Sequence, residues 1–423
     1  MKVGIYTLGC KVNTYESEYI IHTLKNSNYQ IQDFNELCDI YIINTCTVTN
    51  TADTKTRKII RSARNKNKDA LIIAVGCYIE ANKENLPIEI DIAIGNKDKS
   101  KIISLIEEYF ENKNKITKFY DNFDEHFENM FITTFENRTR AFVKIQDGCE
   151  NFCSYCIIPH VRGKCRSKKE EDVIDEITNL IDSGYTEIVL TGIHTGNYGV
   201  DINSNFATIL NKIIKIKGLK RLRISSIEIT ELNDEVLQLI KDHDIIVNHL
   251  HIPIQAASNK VLKLMNRKYD LEYFKTKIKE IRSIKKDISI TTDIIIGHPG
   301  EDNETFMESL KVINDIAFSK IHVFPYSMRQ NTESAKMEQI PENFKKQNAR
   351  TLLELSKKLE LDYMNRFLQK EVEVLIETNK DNFSYGHTSN YLQIKINKII
   401  PSGTYIKVLI TNIEYPYCIG TIE

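Results

Sequence analysis

The segment GCENFCSYC, residues 148–156, places Cys149, Cys153 and Cys156 in a CxxxCxxC pattern. It directly follows an apolar run at 142–146 that has the character of a buried parallel strand. In barrels of parallel strands, the loops at the carboxyl ends of the strands form the active site. The segment therefore predicts a metal-binding loop at the mouth of a β/α barrel.

The number of cysteines in this loop indicates the kind of metal centre. Three thiolates fit a [4Fe-4S] cluster with one iron left open, whereas clusters held entirely by protein take four cysteines. Zinc is the alternative, since it is usually bound by four ligands and His160 is near enough in sequence to be the fourth. We favour the cluster.

Five more strand-like runs follow the first one and alternate with helical patterns. They lie at 187–191, 221–225, 249–252, 291–296 and 321–324. Six β/α units predict a partial (β/α)6 barrel rather than a closed eight-stranded one. With a long helix predicted over 342–368, the barrel domain spans 135–366.

The region 1–120 is predicted to be a smaller α/β domain with an open parallel sheet. Apolar runs at 3–8, 40–43 and 71–75 alternate with helical patterns at 16–27, 52–66 and 99–110. Polar stretches at 111–114 and 121–130 are typical of a linker to the barrel.

Three further cysteines, Cys10, Cys46 and Cys77, each come directly after one of these N-terminal strands. The carboxyl ends of parallel strands meet along one edge of a sheet, where ligands bind. The fold would thus bring three thiols together and form a second three-cysteine cluster. The alternative is ordinary buried cysteines, which is the interpretation we favour for Cys38, Cys165 and Cys418.

The composition excludes some classes of protein. Hydrophobic residues make up 41% of the chain, and no run of about 18 apolar residues predicts a membrane span. The start, MKVGIYTLGC, is unlike a signal peptide, so a cytoplasmic protein without membrane association is expected. The tail, 369–423, alternates apolar and polar residues between turns, which predicts a small all-β barrel.

A CxxxCxxC loop after the first strand of a six-unit barrel resembles the radical S-adenosylmethionine (radical SAM) superfamily. The resemblance implies that S-adenosylmethionine binds the open iron and is cleaved to a 5′-deoxyadenosyl radical. It also implies positions for residues that bind this cofactor. These are Tyr155 near the adenine, Thr191 and Gly192 near the methionine amine, Ser226 and Glu228 near the ribose or carboxylate, and Gly297 at the end of an adenine-flanking strand.

The whole chain resembles the methylthiotransferases, which combine two three-cysteine sites with a TRAM-like (OB-like) C-terminal barrel. Its motifs TLGCKVNTYES, NTCTVTNTAD, GCENFCSYCIIPHVRG and TDIIIGHPGE are most similar to the MtaB-type branch. That branch converts N6-threonylcarbamoyladenosine at position 37 of tRNA to its 2-methylthio derivative. The motif beginning at Gln255, and His298 in place of an aromatic residue, depart from the usual family pattern.

The resemblance implies two [4Fe-4S] clusters, S-adenosylmethionine, the tRNA anticodon loop as a partner and a flavodoxin- or ferredoxin-like electron donor. It also implies a sulfur donor of unknown identity. The alternatives are a methylthiotransferase that acts on isopentenyl-adenosine tRNA or on ribosomal protein S12. A more remote alternative is a non-catalytic metal-cluster module that binds RNA.

Contacts with RNA must come from local patches, because the formal net charge is −1. Arg162 and Arg166 beside the triad are candidates. Two larger sets are a basic helix face and the tail aromatics that could stack on bases. The basic helix face comprises Lys55, Arg57, Lys58, Arg61 and Arg64. The tail aromatics are Phe383, Tyr385, Tyr391, Tyr405, Tyr415 and Tyr417.

Overall fold

The computed structural model describes residues 1–119, 126–135 and 138–422. Residues 121–125 of the predicted linker lie outside the described residues, as do 120, 136, 137 and 423. None of the described helices is both long and apolar enough to cross a membrane.

The N-terminal region forms a six-stranded parallel sheet with the order β2-β1-β3-β4-β5-β6. Its strands are β1 (Lys2–Thr7), β2 (Gln30–Gln32), β3 (Ile40–Thr45), β4 (Leu71–Gly76), β5 (Ile92–Ile94) and β6 (Ile116–Lys118). Its helices are α1 (Lys11–Asn26), α2 (Asn50–Lys66), α3 (Cys77–Ala81) and α4 (Ile102–Asn112). The predicted open α/β fold is confirmed, and β3 and β4 are buried over their whole length.

The central strands form two three-stranded parallel sheets, β11-β10-β7 and β12-β13-β14, and a short antiparallel pair, β8 and β9. The strands are β7 (Arg140–Lys144), β8 (Gln146–Asp147), β9 (Arg166–Ser167), β10 (Glu187–Thr191), β11 (Arg221–Ile224), β12 (His249–His251), β13 (Ser289–Ile296) and β14 (Lys320–Pro325). A bridge between Leu222 and Ile246 brings the two sheets side by side. This arrangement is the predicted partial barrel of six parallel strands.

Helices lie between and after these strands in the chain, and the first of them packs against α3 of the N-terminal unit. They are α5 (Ile158–Arg162), α6 (Glu170–Asp182), α7 (Phe206–Ile213), α8 (Asp234–Asp242), α9 (Asn259–Leu264), α10 (Leu271–Ile284), α11 (Asn303–Ile316) and α12 (Glu342–Asn365). In α6, for example, Val173, Ile177 and Leu180 are spaced three to four residues apart and are fully buried in the main core.

The tail forms a closed barrel with the order β15-β16-β17-β19-β18. Its strands are β15 (Glu371–Lys380), β16 (Phe383–Thr388), β17 (Gln393–Ile396), β18 (Tyr405–Glu414) and β19 (Tyr417–Thr421). Tyr363 near the end of α12 and Phe367 just after it contribute to its core. Sequence patterning indicated β15, β17 and β18 but missed β16 and β19, which contain Gly386 and Gly420 where a strand normally has a larger side chain.

Candidate functional site

The three cysteines of the CxxxCxxC segment lie in the loop between β8 and α5. Gly148 opens this loop with φ at 77°, and a Cβ atom there would lie 1.8 Å from the carbonyl oxygen of Lys164. Only glycine fits this turn. Cys156 N–H donates to the carbonyl oxygen of Cys153 at 2.9 Å. The loop folds so that Cys149, Cys153 and Cys156 all line one cavity of 340 Å³.

The surroundings of these sulfurs favour their binding to a metal. Burial raises the pKa of the Cys153 thiol, and the guanidinium group of Arg267, whose Nη1 lies 3.3 Å from Cys153 Sγ, partly offsets this effect. Burial also raises the pKa of Cys156 to about 12. Such thiols keep their protons at neutral pH unless a metal cation displaces them. The donor set thus fits an iron cluster, with Arg267 tuning one ligand.

His194 is a second charged neighbour of the triad. Burial opposes its protonation, but contacts with Cys149 and Glu231 raise its pKa to about 10. His194 is therefore a cation at neutral pH and adds to the positive charge beside the cysteines. Sequence reasoning missed both Arg267 and His194, since neither is near the cysteines in the chain.

The spacing of the cysteines argues against a single zinc ion. A tetrahedral zinc ion with sulfur ligands at about 2.3 Å brings those sulfurs within about 3.8 Å of one another. Within the described parts of the chain, neither cysteine triad has its three sulfurs within 4.8 Å of one another. His160 is exposed, and its ring packs 5.9 Å from the ring of Phe152.

The residues predicted to hold S-adenosylmethionine fall into two groups. Tyr155, Ser226 and Glu228 line the same cavity as the cysteines. Thr191, Gly192 and Gly297 do not line it. Thr191 is buried at the end of β10, and a Cβ on Gly192 would lie 3.0 Å from Gln146 Oε1. Gly297 has φ at 77° after β13, and a Cβ there would clash with Lys345.

Cys10, Cys46 and Cys77 follow β1, β3 and β4, which are adjacent strands of the N-terminal sheet. Gly9 and Gly76 precede two of them with φ near 100°, where a larger residue would be strained. A Cβ on Gly9 would also lie 3.0 Å from Cys46 Cβ. The strand ends turn sharply here and bring the cysteines to one edge of the sheet.

The three N-terminal thiols are close enough to affect one another. Burial raises the pKa of Cys46 to about 11, and the neighbouring thiols of Cys77 and Cys10 raise it as well. Asn13 accepts a hydrogen bond from Cys10 Sγ at 3.6 Å, and Arg162 Nε donates to Cys77 Sγ at 3.3 Å. The structure thus brings together the cysteines that the strand-end argument predicted to meet.

A buried ionic network lies against this second triad. Arg162 is fully buried, and its Nη1 lies 3.1 Å from Glu16 and 3.0 Å from Asp147. Lys144 bonds the same two carboxylates, at 3.0 and 2.6 Å, and Lys99 bonds Glu16 at 3.1 Å. Three cations therefore face two carboxylates, and the excess positive charge suits an anionic iron–thiolate centre nearby.

The loop that follows Cys46 reaches the cavity of the radical triad. Val48 and Thr49, which follow Cys46, line the same cavity as Cys149. The N-terminal sheet is held at the barrel mouth by Arg329, whose Nη1 lies 2.7 Å from Asp53 and 2.9 Å from the Thr47 carbonyl oxygen. A substrate in this cavity can therefore contact both units.

A second cavity of 310 Å³ adjoins this region, and the sequence gave no signal for it. Between the two cavities lie His251, Asp293 and His322, whose ligand atoms are all within 4.8 Å of one another. His251 Nε2 is 3.2 Å from Asp293 Oδ2, and His251 Nδ1 is 2.9 Å from Thr291 Oγ1. Alternation along the strands explains this group, since Thr291 and Asp293 share one face of β13.

The structure shows which of the basic residues predicted to contact RNA are buried and which are exposed. Arg162 is fully buried and bonded within the protein, so the prediction that it contacts phosphate or substrate is wrong. Arg166 is almost fully buried but lines a cavity, and its contact with phosphate or substrate stays a prediction. Arg64 is bonded to Asp91 at 2.6 Å, whereas Lys55, Lys58 and Arg61 remain exposed.

Two of the tail aromatics are engaged against the barrel. Tyr391 stacks between His249 and His387, and Tyr405 packs against Arg221. Tyr385 and Tyr417 pack on each other at 5.3 Å on another side of the tail barrel. Stacking of RNA bases on this second pair stays a prediction.

Comparisons with known proteins agree with this geometry. Residues 143–313 match the radical SAM superfamily, and residues 2–95 match the uncharacterized protein family UPF0004. The chain is 42% identical to threonylcarbamoyladenosine tRNA methylthiotransferase MtaB of Bacillus subtilis, over 98% of this chain and 95% of that protein. It is 34% identical to a tRNA-2-methylthio-N(6)-dimethylallyladenosine synthase of Thermoanaerobacter pseudethanolicus, over 94% and 86%.

A solved structure shares the fold at low sequence identity. The radical S-adenosylmethionine methyltransferase TsrM of Kitasatospora setae aligns with a TM-score of 0.59 at 12% identity, covering 79% of this chain and 74% of that one. The barrel, its cysteine loop and the full-length likeness to the Bacillus protein lead to one conclusion. The chain belongs to the radical SAM methylthiotransferase family.

Proposed function

We propose that the protein converts N6-threonylcarbamoyladenosine at position 37 of tRNA to its 2-methylthio derivative. The observation that carries this proposal is the contact between the two cysteine sites: Arg162 bonds both Cys77 and Asp147, and Val48 and Thr49, after Cys46, line the cavity of the radical triad. The relatives named MtaB, at 42% identity over almost the whole chain, support the same substrate.

In this proposal Cys149, Cys153 and Cys156 hold a [4Fe-4S] cluster, and Tyr155, Ser226 and Glu228 contact S-adenosylmethionine. Cluster and cofactor together supply a carbon radical, which can activate a C–H bond that acids and bases cannot. Residues of this chain position the cluster and the cofactor relative to each other. Arg267 bonds both Cys153 and Glu228, and thus links a cluster ligand to the cofactor pocket. Thr191, Gly192 and Gly297 do not line the cavity in this proposal. They set the backbone conformation at the ends of β10 and β13, beside the cofactor pocket.

We further propose a second [4Fe-4S] cluster on Cys10, Cys46 and Cys77 as the site from which sulfur is delivered. The N–H donors of Arg162 and the excess of buried cations support an anionic centre there. The division into units 1–120, 135–366 and 369–423, a flavodoxin- or ferredoxin-like electron donor and a cytoplasmic location are parts of the same proposal.

Mass spectrometry of tRNA nucleosides tests the function. In a strain without the gene, we expect N6-threonylcarbamoyladenosine to persist and its 2-methylthio derivative to disappear. The wild-type gene and a Cys418→Ala variant, altered at a buried tail cysteine outside both triads, should restore it, whereas Cys77→Ala should not. An unchanged nucleoside profile in the deletion strain would refute the proposal. Restoration of the isopentenyl-adenosine product instead would support the activity named for the Thermoanaerobacter relative.

A further inference from the structure

We propose that the second cavity binds the N6 side chain of the substrate nucleoside and that Lys11 pairs with the carboxylate of its threonine moiety. This inference rests on the proposed function and extends it. It assigns a substrate-binding site, defined by the walls of the 310 Å³ cavity, and names its ligand as a carboxylate-bearing substituent.

The position of the cavity fits this role. Its walls come from three parts of the chain: Lys11 at the start of α1, barrel residues such as His249 and His322, and Tyr391 of the tail. His251 lines this cavity, Asp293 lines the cavity of the radical triad, and their side chains are 3.2 Å apart. The His251–Asp293 pair thus marks the boundary between the two cavities, and in this proposal the N6 substituent of a base in the first cavity has to reach the second at this boundary.

The charges of the cavity favour an anion at Lys11. Other cations in or near its wall already have carboxylate partners. Arg223 is paired with Glu187 at 2.8 Å, Lys320 with Glu360 at 2.8 Å and Arg140 with Glu377 at 3.3 Å. Lys11 lines the cavity, and among the described residues no carboxylate lies within ion-pair distance of it; Tyr391 and Asp293 interact with its ammonium group only electrostatically. A bound carboxylate would supply the missing partner.

The part of the wall next to Lys11 is built to be rigid. Tyr391 has φ at 68°, a conformation that tyrosine rarely adopts, and such strain persists only where the surroundings enforce it. Its ring stacks 4.7 Å from both His249 and His387, with Arg223 4.8 Å away. A preorganised wall loses little entropy when a small polar group binds.

Polar groups of the lining disfavour an apolar substituent, although Ile224, Met364, Leu392 and Pro416 also line the cavity. Histidines, serines, a threonine, Arg223 and Lys11 would lose water without gaining partners if an isopentenyl group entered. The threonylcarbamoyl group, by contrast, carries a carboxylate, a hydroxyl group and amide groups. The polar part of the lining, and Lys11 above all, therefore favours the threonylcarbamoyl substituent.

The test compares two anticodon stem-loop RNAs that differ in one functional group. One carries N6-threonylcarbamoyladenosine, and the other carries the same nucleoside with the carboxylate converted to a carboxamide. A hydrogen bond to a charged group corresponds to a preference of about 10- to 100-fold in kcat/KM or in binding. We expect the wild-type enzyme to prefer the carboxylate by this factor, Lys11→Met to prefer neither RNA, and Lys11→Arg to retain most of the preference.

Two features keep this test decisive. Lys11 adjoins Cys10, so damage to a cluster would lower activity on both RNAs equally and leave their ratio unchanged. The same ratio is measured by fluorescence anisotropy of RNA binding, so a variant without turnover still gives an answer. Lys279→Met, at an exposed lysine on α10, is the matched control and should behave like wild type.

The outcomes separate the inference from the function. If Lys11→Met keeps the wild-type preference for the carboxylate, the cavity assignment is wrong while the proposed function stands. If the wild-type enzyme modifies and binds neither RNA, the proposed function itself fails. A wild-type enzyme that treats both RNAs alike also overturns the assignment.

Discussion

The side chain of Arg162, in the helix after the radical cysteine loop, donates from Nε to Cys77 Sγ at 3.3 Å. This contact spans the two proposed cluster sites and is buried. We expect Arg162→Met to lower the free energy of unfolding by about 3–5 kcal/mol, because it leaves Asp147 and Glu16 short of a partner. Chemical denaturation of the anaerobically purified protein measures this change.

The matched control for Arg162 is Arg61→Met, whose side chain is 67% exposed and whose pairing with Glu89 lies at the surface. We expect a change below about 0.5 kcal/mol there. Equal effects of the two substitutions would contradict the structural role given to Arg162.

The two triads should be separable by iron content and by reaction. Reconstituted wild-type protein should hold about eight irons, and either Cys153→Ala or Cys77→Ala about four. Cys153→Ala should abolish reductive formation of 5′-deoxyadenosine, whereas Cys77→Ala should retain it and lose only methylthiolation of the RNA. Cys418→Ala should match wild type in both measurements. Wild-type protein with about four irons would refute the second cluster.

Glu301 should make stability depend on pH. Burial raises its pKa to about 7, partly offset by the N–H group that Gly297 donates to it. The folded state therefore holds a proton that the unfolded state releases between about pH 4.5 and 7, so this group lowers stability as pH rises through that window. Relative to wild type, Glu301→Gln should gain about 2 kcal/mol between pH 5 and pH 8.

Urea denaturation at the two pH values measures the effect of Glu301. Glu304→Gln, at an exposed position in the first turn of α11, three residues after Glu301, is the control and should show the same difference from wild type at both pH values. If Glu301→Gln behaves like this control, Glu301 ionises normally in the folded protein.

The tail barrel should depend on Arg221 for its attachment. Its guanidinium group donates to the carbonyl oxygens of His387 and Glu373, both at 3.1 Å. We expect Arg221→Met to speed amide hydrogen exchange in β15 by about tenfold, because the tail would separate from the barrel more often. Peptides from β1 and β3 provide the internal reference. Unchanged exchange in β15 would show that other contacts suffice.

The sequence predicted those parts of the site that obey a local rule. Cys10, Cys46 and Cys77 could be grouped because parallel strands end at one edge, and Cys149, Cys153 and Cys156 because they share one loop. Arg162 was misjudged because its partners Glu16 and Asp147 are chosen by tertiary packing. The second cavity was missed for the same reason, since Lys11 and Tyr391 come from opposite ends of the chain.

Some of the residues packed near Cys77 come from a later part of the chain, and this affects when the N-terminal site can bind metal during translation. The strands that carry Cys10, Cys46 and Cys77 are complete once β6 has been made, and such units fold as they leave the ribosome. Two of the cations that bond buried Glu16, however, are Lys144 and Arg162, which emerge later. We expect the N-terminal site to accept its metal only after the radical loop and Arg162 have been translated.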